Sequence, residues 1–377
     1  MKRILCCILA AGLLGLPVFA EASISDFDFD EQLDALGARE LEEQLPAQAS
    51  ELLQETGLRQ ITVESLLELS PKAFFSALWE MVLQELRMPA KTLGILVGIV
   101  LLCALLGAFK EIGADTAMNQ LFALIATLCV VISLSGSILD CVLWASRTIE
   151  QTAGFMLAFI PVFSAAMVAA GQPLSGMAYN SFLFVTCQVV SQVIVRTLVP
   201  LLSVYLALCI VGALVPDLDI SGIADGVKSI VSWGLGLLLT LFIALLSLQS
   251  MVSSSADGIA LRTGKFLLGT FVPVVGGALS DAMGAAHGCL QLIKTTVGVY
   301  GIVVAIFTLL PVIVRILLWF GISNMAAMAG DFLGVPSAAD LLKACAGVLG
   351  LLLAVVMCFG LLLIISTTVV IVTSLGV

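Results

Sequence analysis

The chain has 377 residues, of which 60% are hydrophobic and 11% charged, with a formal net charge of −10 and a mean hydropathy of +1.17. Soluble globular proteins carry about 25% charged residues, so this composition indicates a membrane protein. A single histidine in the chain disfavours zinc sites built from histidines and Ser-His-Asp nucleophilic centres.

The N-terminus has the features of a secretory signal peptide. Lys2 and Arg3 precede an uncharged apolar run that ends at Ala20, a small residue of the kind found at cleavage sites. We predict a signal peptide over 1–20 that is cleaved after Ala20. An uncleaved signal anchor is the alternative, but the apolar run is at the short end of the spanning range of about 17 to 25 residues, which favours cleavage. Either way, export places residues 21–90 outside the cytoplasm.

The acidity of the chain belongs to this exported segment. Residues 21–90 hold 15 acidic and 4 basic side chains, a balance of −11, whereas residues 91–377 hold 11 acidic and 10 basic ones, a balance of −1. Such a charge disfavours contact with anionic lipid and favours a basic patch on a partner protein.

An amphipathic helix is predicted at the end of the acidic segment. Ser70 is a helix N-cap, and Pro71 suits the first turn. The apolar residues that follow recur on one helical face. We expect this helix to lie at the membrane surface or to pack on a partner, and its position beside the first span favours the surface. The stripe consists of Phe74, Phe75, Leu78, Trp79, Val82, Leu83 and Leu86.

The rest of the chain, 91–377, reads as one membrane domain of apolar runs. Backbone groups in hydrocarbon must be satisfied internally, so these runs are predicted to be helices. The sequence predicts an all-α polytopic protein with seven to nine spans; the short run around Pro273 and the long run 289–322 are the uncertain ones. The runs are 92–109, 119–139, 152–170, 177–195, 197–215, 228–250, 266–280, 289–310, 311–322 and 343–373.

Short motifs recur and suggest an internal repeat of about 112 residues. The Phe-Ile-Pro-Val motif around Pro161 returns as Phe-Val-Pro-Val around Pro273. The units would be 91–197, 198–310 and a partial 311–377, although coincidence explains short matches in a restricted alphabet. A second marker, an Asp-x-x-Lys loop, comprises Asp225 and Lys228 in one copy and Asp340 and Lys343 in the other.

Charges and helix breakers within the apolar runs are the candidate functional residues. Asp281 and Lys294 are expected to line a polar cavity where a helix is broken, because broken helices at membrane depth are tolerated beside a cavity. Arg196 and Arg315 are expected to snorkel to headgroups or to lie inside the membrane. The expected hinge elements are Pro161, Gly171, Gln172 and Pro173 in one copy, and Pro273, Gly276, Gly277 and Gly284 in the other.

Enzymatic motifs are missing from the sequence. The stretch from Gly258 to Lys265 differs from a phosphate-binding loop in its glycine spacing, and Phe266 stands where that loop needs Ser or Thr. No pair of carboxylates lies within one run for acid and base work. We therefore predict no catalysis, no cofactor or metal, and neither nucleotide nor nucleic acid as a ligand.

Two long segments resemble the stage III sporulation protein AE family. They are Phe266–Ala282, with the sequence Phe-Leu-Leu-Gly-Thr-Phe-Val-Pro-Val-Val-Gly-Gly-Ala-Leu-Ser-Asp-Ala, and Leu292–Gly301, with Leu-Ile-Lys-Thr-Thr-Val-Gly-Val-Tyr-Gly. The segment Pro161–Gly171 resembles an earlier Pro/Gly segment of that family. The likeness covers essentially the whole chain.

The resemblance implies a multipass protein of the mother-cell membrane around the forespore. It implies a scaffold or channel subunit of a trans-envelope secretion apparatus, with partners encoded in the same operon and one on the forespore side. Two other hypotheses follow from the residues themselves: an autonomous transporter of a small solute, and a set of spans that only anchors the acidic segment.

Overall fold

The computed structural model describes residues 29–56, 71–108, 116–215, 220–271 and 276–374, with the backbone alone at 30, 71, 106–108, 116–123, 126, 221, 250–271, 276–287, 373 and 374. The described chain is helical throughout. Its helices are α1 (Phe29–Ala35), α2 (Ala38–Glu43), α3 (Ala47–Glu55), α4 (Pro71–Ala108), α5 (Thr116–Ala169), α6 (Pro173–Val193), a π-helix (Ile194–Leu198), α7 (Val199–Leu214), α8 (Ser221–Phe271), α9 (Gly276–Phe332) and α10 (Pro336–Ser374).

Six stretches of the described chain are long and apolar enough to cross a bilayer, so the protein is membrane-embedded. The predicted count of seven to nine is not confirmed, because runs that the sequence separates lie in continuous helices. The runs 119–139 and 152–170 share α5, and 289–310 and 311–322 share α9. The six stretches are Lys72–Leu105, Thr127–Ala169, Pro173–Leu214, Gly222–Gln249, Gly288–Phe332 and Pro336–Val372.

A π-helix joins α6 to α7 where the sequence suggests two separate spans. Pro200 has no backbone N–H, and its ring would crowd the carbonyl four residues earlier in an α-helix. The turn before it is widened, with the Val199 N–H donating to the Ile194 carbonyl. One continuous helical segment therefore crosses the molecule from Pro173 to Leu214.

The three short helices α1 to α3 form an acidic layer on the bundle. Leu41 and Leu53 are buried at 1% and 2% exposure, and Ala49 is fully buried. Helix α3 packs on α9 and α2 packs on α5. The apolar side of the layer thus faces the membrane domain, and six of its eight acidic side chains are exposed. The predicted boundary at residue 90 falls inside α4.

Aromatic rings of α5 fill a notch in α9 and set the distance between the two helices. Phe159 and Phe163 stack with their centroids 5.4 Å apart. A Cβ added to Gly298 would lie 2.9 Å from the Phe163 ring, and one added to Gly301 would overlap the Phe159 ring. Only glycine lets the rings approach this closely, as small residues do at helix interfaces in membranes.

The signal peptide lies outside the described residues, and the repeat is not confirmed. Helix α5 continues through Pro161, whereas Pro273 lies outside the described residues. The Asp-x-x-Lys segments, expected as loops, lie inside helices: Asp225 and Lys228 in α8, and Asp340 and Lys343 in α10.

Candidate functional site

A buried lysine connects three helices at one end of the bundle. Lys294 on α9 is only 1% exposed. Its Nζ donates to the Gln172 Oε1 at 2.8 Å and to the Val370 carbonyl at 3.4 Å. A buried ammonium needs such acceptors, because burial without them costs several kcal/mol. The lysine thus fixes the α5–α6 turn against α9 and α10.

The turn that supplies Gln172 is held by a Schellman motif. Gly171 adopts φ 77°, a left-handed conformation that favours glycine. Its N–H donates to the Val168 carbonyl, and the Gln172 N–H donates to the Met167 carbonyl, both at 3.0 Å. Pro173 then begins α6. These two backbone hydrogen bonds close the turn, and the Gln172 side-chain oxygen accepts from Lys294.

Polar side chains next to this lysine also bridge helices. The Ser164 hydroxyl of α5 donates to the Gly176 carbonyl of α6 at 2.8 Å. The hydroxyls of Tyr179 and Thr367 lie 3.5 Å apart, between α6 and α10. With Lys294, these bonds make a polar, tightly packed junction rather than an open cavity.

A second charged site lies farther along α9. The Arg315 Nε and Nη2 donate to the two carboxylate oxygens of Glu85 at 2.8 and 3.1 Å. The guanidinium also lies 4.2 Å from the centre of the Trp144 ring. A bidentate pair with a cation–π contact is the arrangement that suits arginine best. It joins α4, α5 and α9.

The sequence placed Arg315 among the candidate charges but missed both its partners. A signal for Glu85 was present, because it lies seven and eleven residues after Leu78 and Phe74 and so shares their helical face. That face packs on α9: Phe74 stacks on Phe307 with centroids 5.8 Å apart. The other part of the predicted stripe is exposed, at 65% for Phe75 and 64% for Trp79.

The structure brings some of the predicted hinge residues together and leaves others apart. Gln172, between Gly171 and Pro173 in the α5–α6 turn, binds Lys294, although the sequence assigned the two to different copies of the repeat. Pro161 is exposed within the last third of α5. Pro273 lies outside the described residues; Gly276 and Gly277 begin α9, and the side chains of Asp281 and Gly284 are not described.

The remaining predicted residues lie at the surface. Arg196 is exposed in the π-helix. Lys343 forms ion pairs with Asp331 at 2.9 Å and with Asp340 at 3.3 Å, which fasten the α9–α10 turn. Asp225 and Lys228 are exposed near the start of α8.

Comparison with known proteins gives the family. The model of the family described as stage III sporulation protein AE matches residues 56–374. The chain belongs to this family. A curated relative, stage III sporulation protein AE of Bacillus subtilis (strain 168), is 25% identical over 237 residues, or 63% of this chain. That alignment spans 59% of the relative's length. No solved structure matches the chain.

In this member of the stage III sporulation protein AE family, the Lys294 junction and the Arg315 pair both hold long helices in register. Each of their charged groups has a hydrogen-bond partner. Such sites stabilise one arrangement of the bundle. The protein therefore presents a fixed frame on which the acidic layer is mounted.

Proposed function

We propose that the protein is a scaffold or channel subunit of the sporulation apparatus that links the mother cell to the forespore. Its family supports a role in sporulation, and its six apolar helices support a place within a membrane. The membrane would be that of the mother cell around the forespore, with the acidic layer on the extracytoplasmic side. The family match does not favour the small-solute transporter.

The acidic layer is the observation that carries this proposal. Residues 29–56 hold eight acidic side chains and one basic one, Arg39, which pairs with Asp34. The layer attaches to the bundle through buried apolar side chains such as Leu41, Ala49 and Leu53. Six of the acidic side chains are exposed: Glu31, Asp34, Glu40, Glu43, Glu51 and Glu55.

This layer suits a partner with a basic surface. At physiological salt the screening length is about 8 Å, so the attraction guides and orients a partner over short range. Complementary charge of this kind raises the rate and specificity of association more than its strength. The other membrane proteins of the same operon and a forespore-side protein are the proposed partners. We infer no catalytic activity for this subunit.

Charge reversal in the layer tests the proposal. The triple variant Glu40→Lys, Glu43→Lys and Glu51→Lys would replace the wild-type chain in an endospore-forming host. We expect it to accumulate in the membrane normally, to lose co-purification of the operon's other membrane proteins, and to lower spore yield at least tenfold.

A matched control carries the same change of charge outside the layer. Glu80→Lys, Asp140→Lys and Glu150→Lys alter three exposed acidic residues of α4 and α5 and are expected to leave co-purification intact. If the layer variant assembles and sporulates normally, the acidic layer is not the docking surface. Normal sporulation without the chain altogether would overturn the proposed function itself.

A further inference from the structure

The outer face of the α4–α5 pair is apolar and uncovered. On α4, Phe75, Trp79 and Leu83 follow one another at intervals of four residues, and all three are exposed. On α5, which packs against α4, Ile132 is 78% exposed and Leu143 54%. Large apolar side chains in rows on two neighbouring helices mark an interaction surface. Something therefore covers this face in the working protein.

Exposed charges lie within this apolar face. They are Arg87 and Lys91 on α4 and Asp140 on α5. In the part of the chain that the structure describes, no ion pair includes any of the three. Hydrocarbon does not solvate such groups. Acyl chains alone are therefore a poor cover, and a protein surface with matching charges is a better one.

Contacts with α9 set the level of α4 against α5. Arg315 binds Glu85 of α4 and lies over Trp144 of α5, so Glu85 and Trp144 are at one level. Helix α4 ascends with α9, since Phe74 stacks on Phe307. Helix α5 descends, because its last third packs on the first half of α9. Each step up α4 from Glu85 thus matches a step down α5 from Trp144.

Basic side chains of α4 and an acidic side chain of α5 come to the same level by this count. Arg87 and Lys91 lie two and six residues after Glu85, and Asp140 lies four residues before Trp144. At 1.5 Å per residue, Asp140 is about 3 Å along the axis from each of the two basic residues. One helical turn separates Asp140 from Trp144, so Asp140 is on the side of α5 that borders α4.

A face with this pattern is complementary to itself. A two-fold axis parallel to the helices places α4 of one copy against α5 of the other and keeps every residue at its level. Arg87 and Lys91 of each copy then meet Asp140 of the other, so the charge contact occurs twice. The same axis gives both copies one orientation across the membrane.

Bulky and small residues also match by level. Counted from Arg315, Phe75 of α4 and Gly154 of α5 both lie ten residues toward the acidic layer. Gly94 and Gly136 lie nine and eight residues in the other direction. A Cβ added to any of these three glycines would have no atom within 4 Å in one copy. The space that they leave is free for the side chains and backbone of a second copy.

We propose that two copies of this protein bind each other through the outer faces of α4 and α5. Phe75 and Trp79 are the apolar anchors, and Arg87, Lys91 and Asp140 fix the register, because a displaced partner brings like charges together. Self-association does not depend on the proposed function, in which other proteins bind the acidic layer. The charge control above, which includes Asp140→Lys, is accordingly expected to lose its second copy and to keep the operon's other membrane proteins.

Two charge variants that fail alone but bind each other test the contact. One variant carries Arg87→Asp and Lys91→Asp, and the other carries Asp140→Arg. Each variant with itself brings like charges together at both contacts, whereas a mixed pair has opposite charges at both. Two differently tagged full-length chains would be co-expressed in the host membrane, solubilised in mild detergent and captured through one tag. The amount of the second tag in the eluate measures self-association.

We expect each variant, paired with itself, to retain about tenfold less of the second tag than the wild-type chain, and the mixed pair to recover most of the wild-type amount. A contact within one copy cannot produce this recovery, because neither variant restores it. The matched control, Asp225→Arg with Lys228→Asp on the exposed side of α8, should leave capture unchanged. Wild-type capture by both variants, or no recovery in the mixed pair, would overturn the proposal.

Cross-linking checks the same contact with all charges intact. Ala90 and Leu139 are exposed, and each lies five residues from the level of Arg315 in the same direction. One chain would carry Ala90→Cys and the other Leu139→Cys, in a background without the native cysteines. A short bifunctional maleimide in membranes should join these chains about tenfold more than chains with Ala90→Cys and Leu237→Cys, an exposed site on α8. Equal yields for the two pairs would exclude this interface.

Discussion

At the scale of single residues, Arg315 shows how a charge is kept within an apolar bundle. Its side chain is 34% exposed and that of Glu85 25%, so water screens the pair in part. Two parallel hydrogen bonds and the Trp144 ring hold the guanidinium. The sequence could predict that such an arginine needs a hydrogen-bonding partner of opposite charge. It could not supply the partner, because Glu85 lies 230 residues away along the chain.

Removing the charge of Glu85 is expected to destabilise the bundle moderately. Glu85→Gln keeps the shape of the side chain but loses the carboxylate, and the partly exposed position limits the loss to about 1 kcal/mol. The apparent melting temperature in detergent should fall by about 2 to 4 °C. Glu80→Gln, an exposed change on the same helix, should leave it unchanged.

Exchanging the charges of Glu85 and Arg315 tests whether the ion pair, rather than either residue alone, stabilises the bundle. Glu85→Arg and Arg315→Glu should each lower the melting temperature more than Glu85→Gln, since each places two like charges together. The double variant should recover part of the loss. A double variant that is no better than the two single ones would mean that the ion pair contributes nothing measurable.

At the scale of helices, the sequence predicts helix type well and helix limits poorly. The apolar runs indicated helices correctly, and Pro71, expected in the first turn of a helix, begins α4. Gly171, expected as a hinge element, lies in the turn between α5 and α6. Polar residues in the middle of α5 suggested a break, yet an α-helix satisfies its own backbone hydrogen bonds, and α5 continues through these residues. Pro200 likewise needed only a π-helical turn.

The buried Lys294 site was predictable only in part. Lys294 and the Gly171–Pro173 turn were singled out by residue type, since a charge and a helix breaker are unusual in apolar runs. Their contact with each other was not predictable, because it depends on the packing of α5 and α6 against α9 and α10. Trp144 gave no signal, as an aromatic residue in an apolar helix is ordinary.

The close packing of α5 on α9 gives a prediction at this scale. Gly301→Ala would place a methyl group in the Phe159 ring, and overpacking of this kind costs about 1 to 3 kcal/mol. The melting temperature should fall by several degrees. Gly321→Ala on the same helix, with no atom within 4 Å of the new Cβ, should be neutral or stabilising by up to about 1 kcal/mol. Equal effects of the two changes on the melting temperature would contradict the close packing of Phe159 against Gly301.

At the scale of the whole molecule, the acidic layer depends on the bundle for its structure. Its helices have seven, six and nine residues, and isolated helices shorter than about 12 residues are marginal in water. A few apolar side chains therefore anchor a surface that carries most of the net charge of the protein. The six long helices hold that surface in place, and the surface gives the otherwise neutral bundle its negative face.

The anchoring of this layer can be tested through Leu53, which is 2% exposed on α3, the helix that packs on α9. Truncation of a buried leucine costs about 2 to 5 kcal/mol. We expect the free energy that attaches the three short helices to the bundle to be no larger than this. Leu53→Ala should therefore open the layer without unfolding the spans. Limited proteolysis should cut within residues 29–56 at least tenfold faster, while α4 to α10 stay intact. Gln54→Ala, an exposed neighbour, should be cut at the wild-type rate. Slow cleavage of both variants would mean that the layer holds to the bundle without this contact.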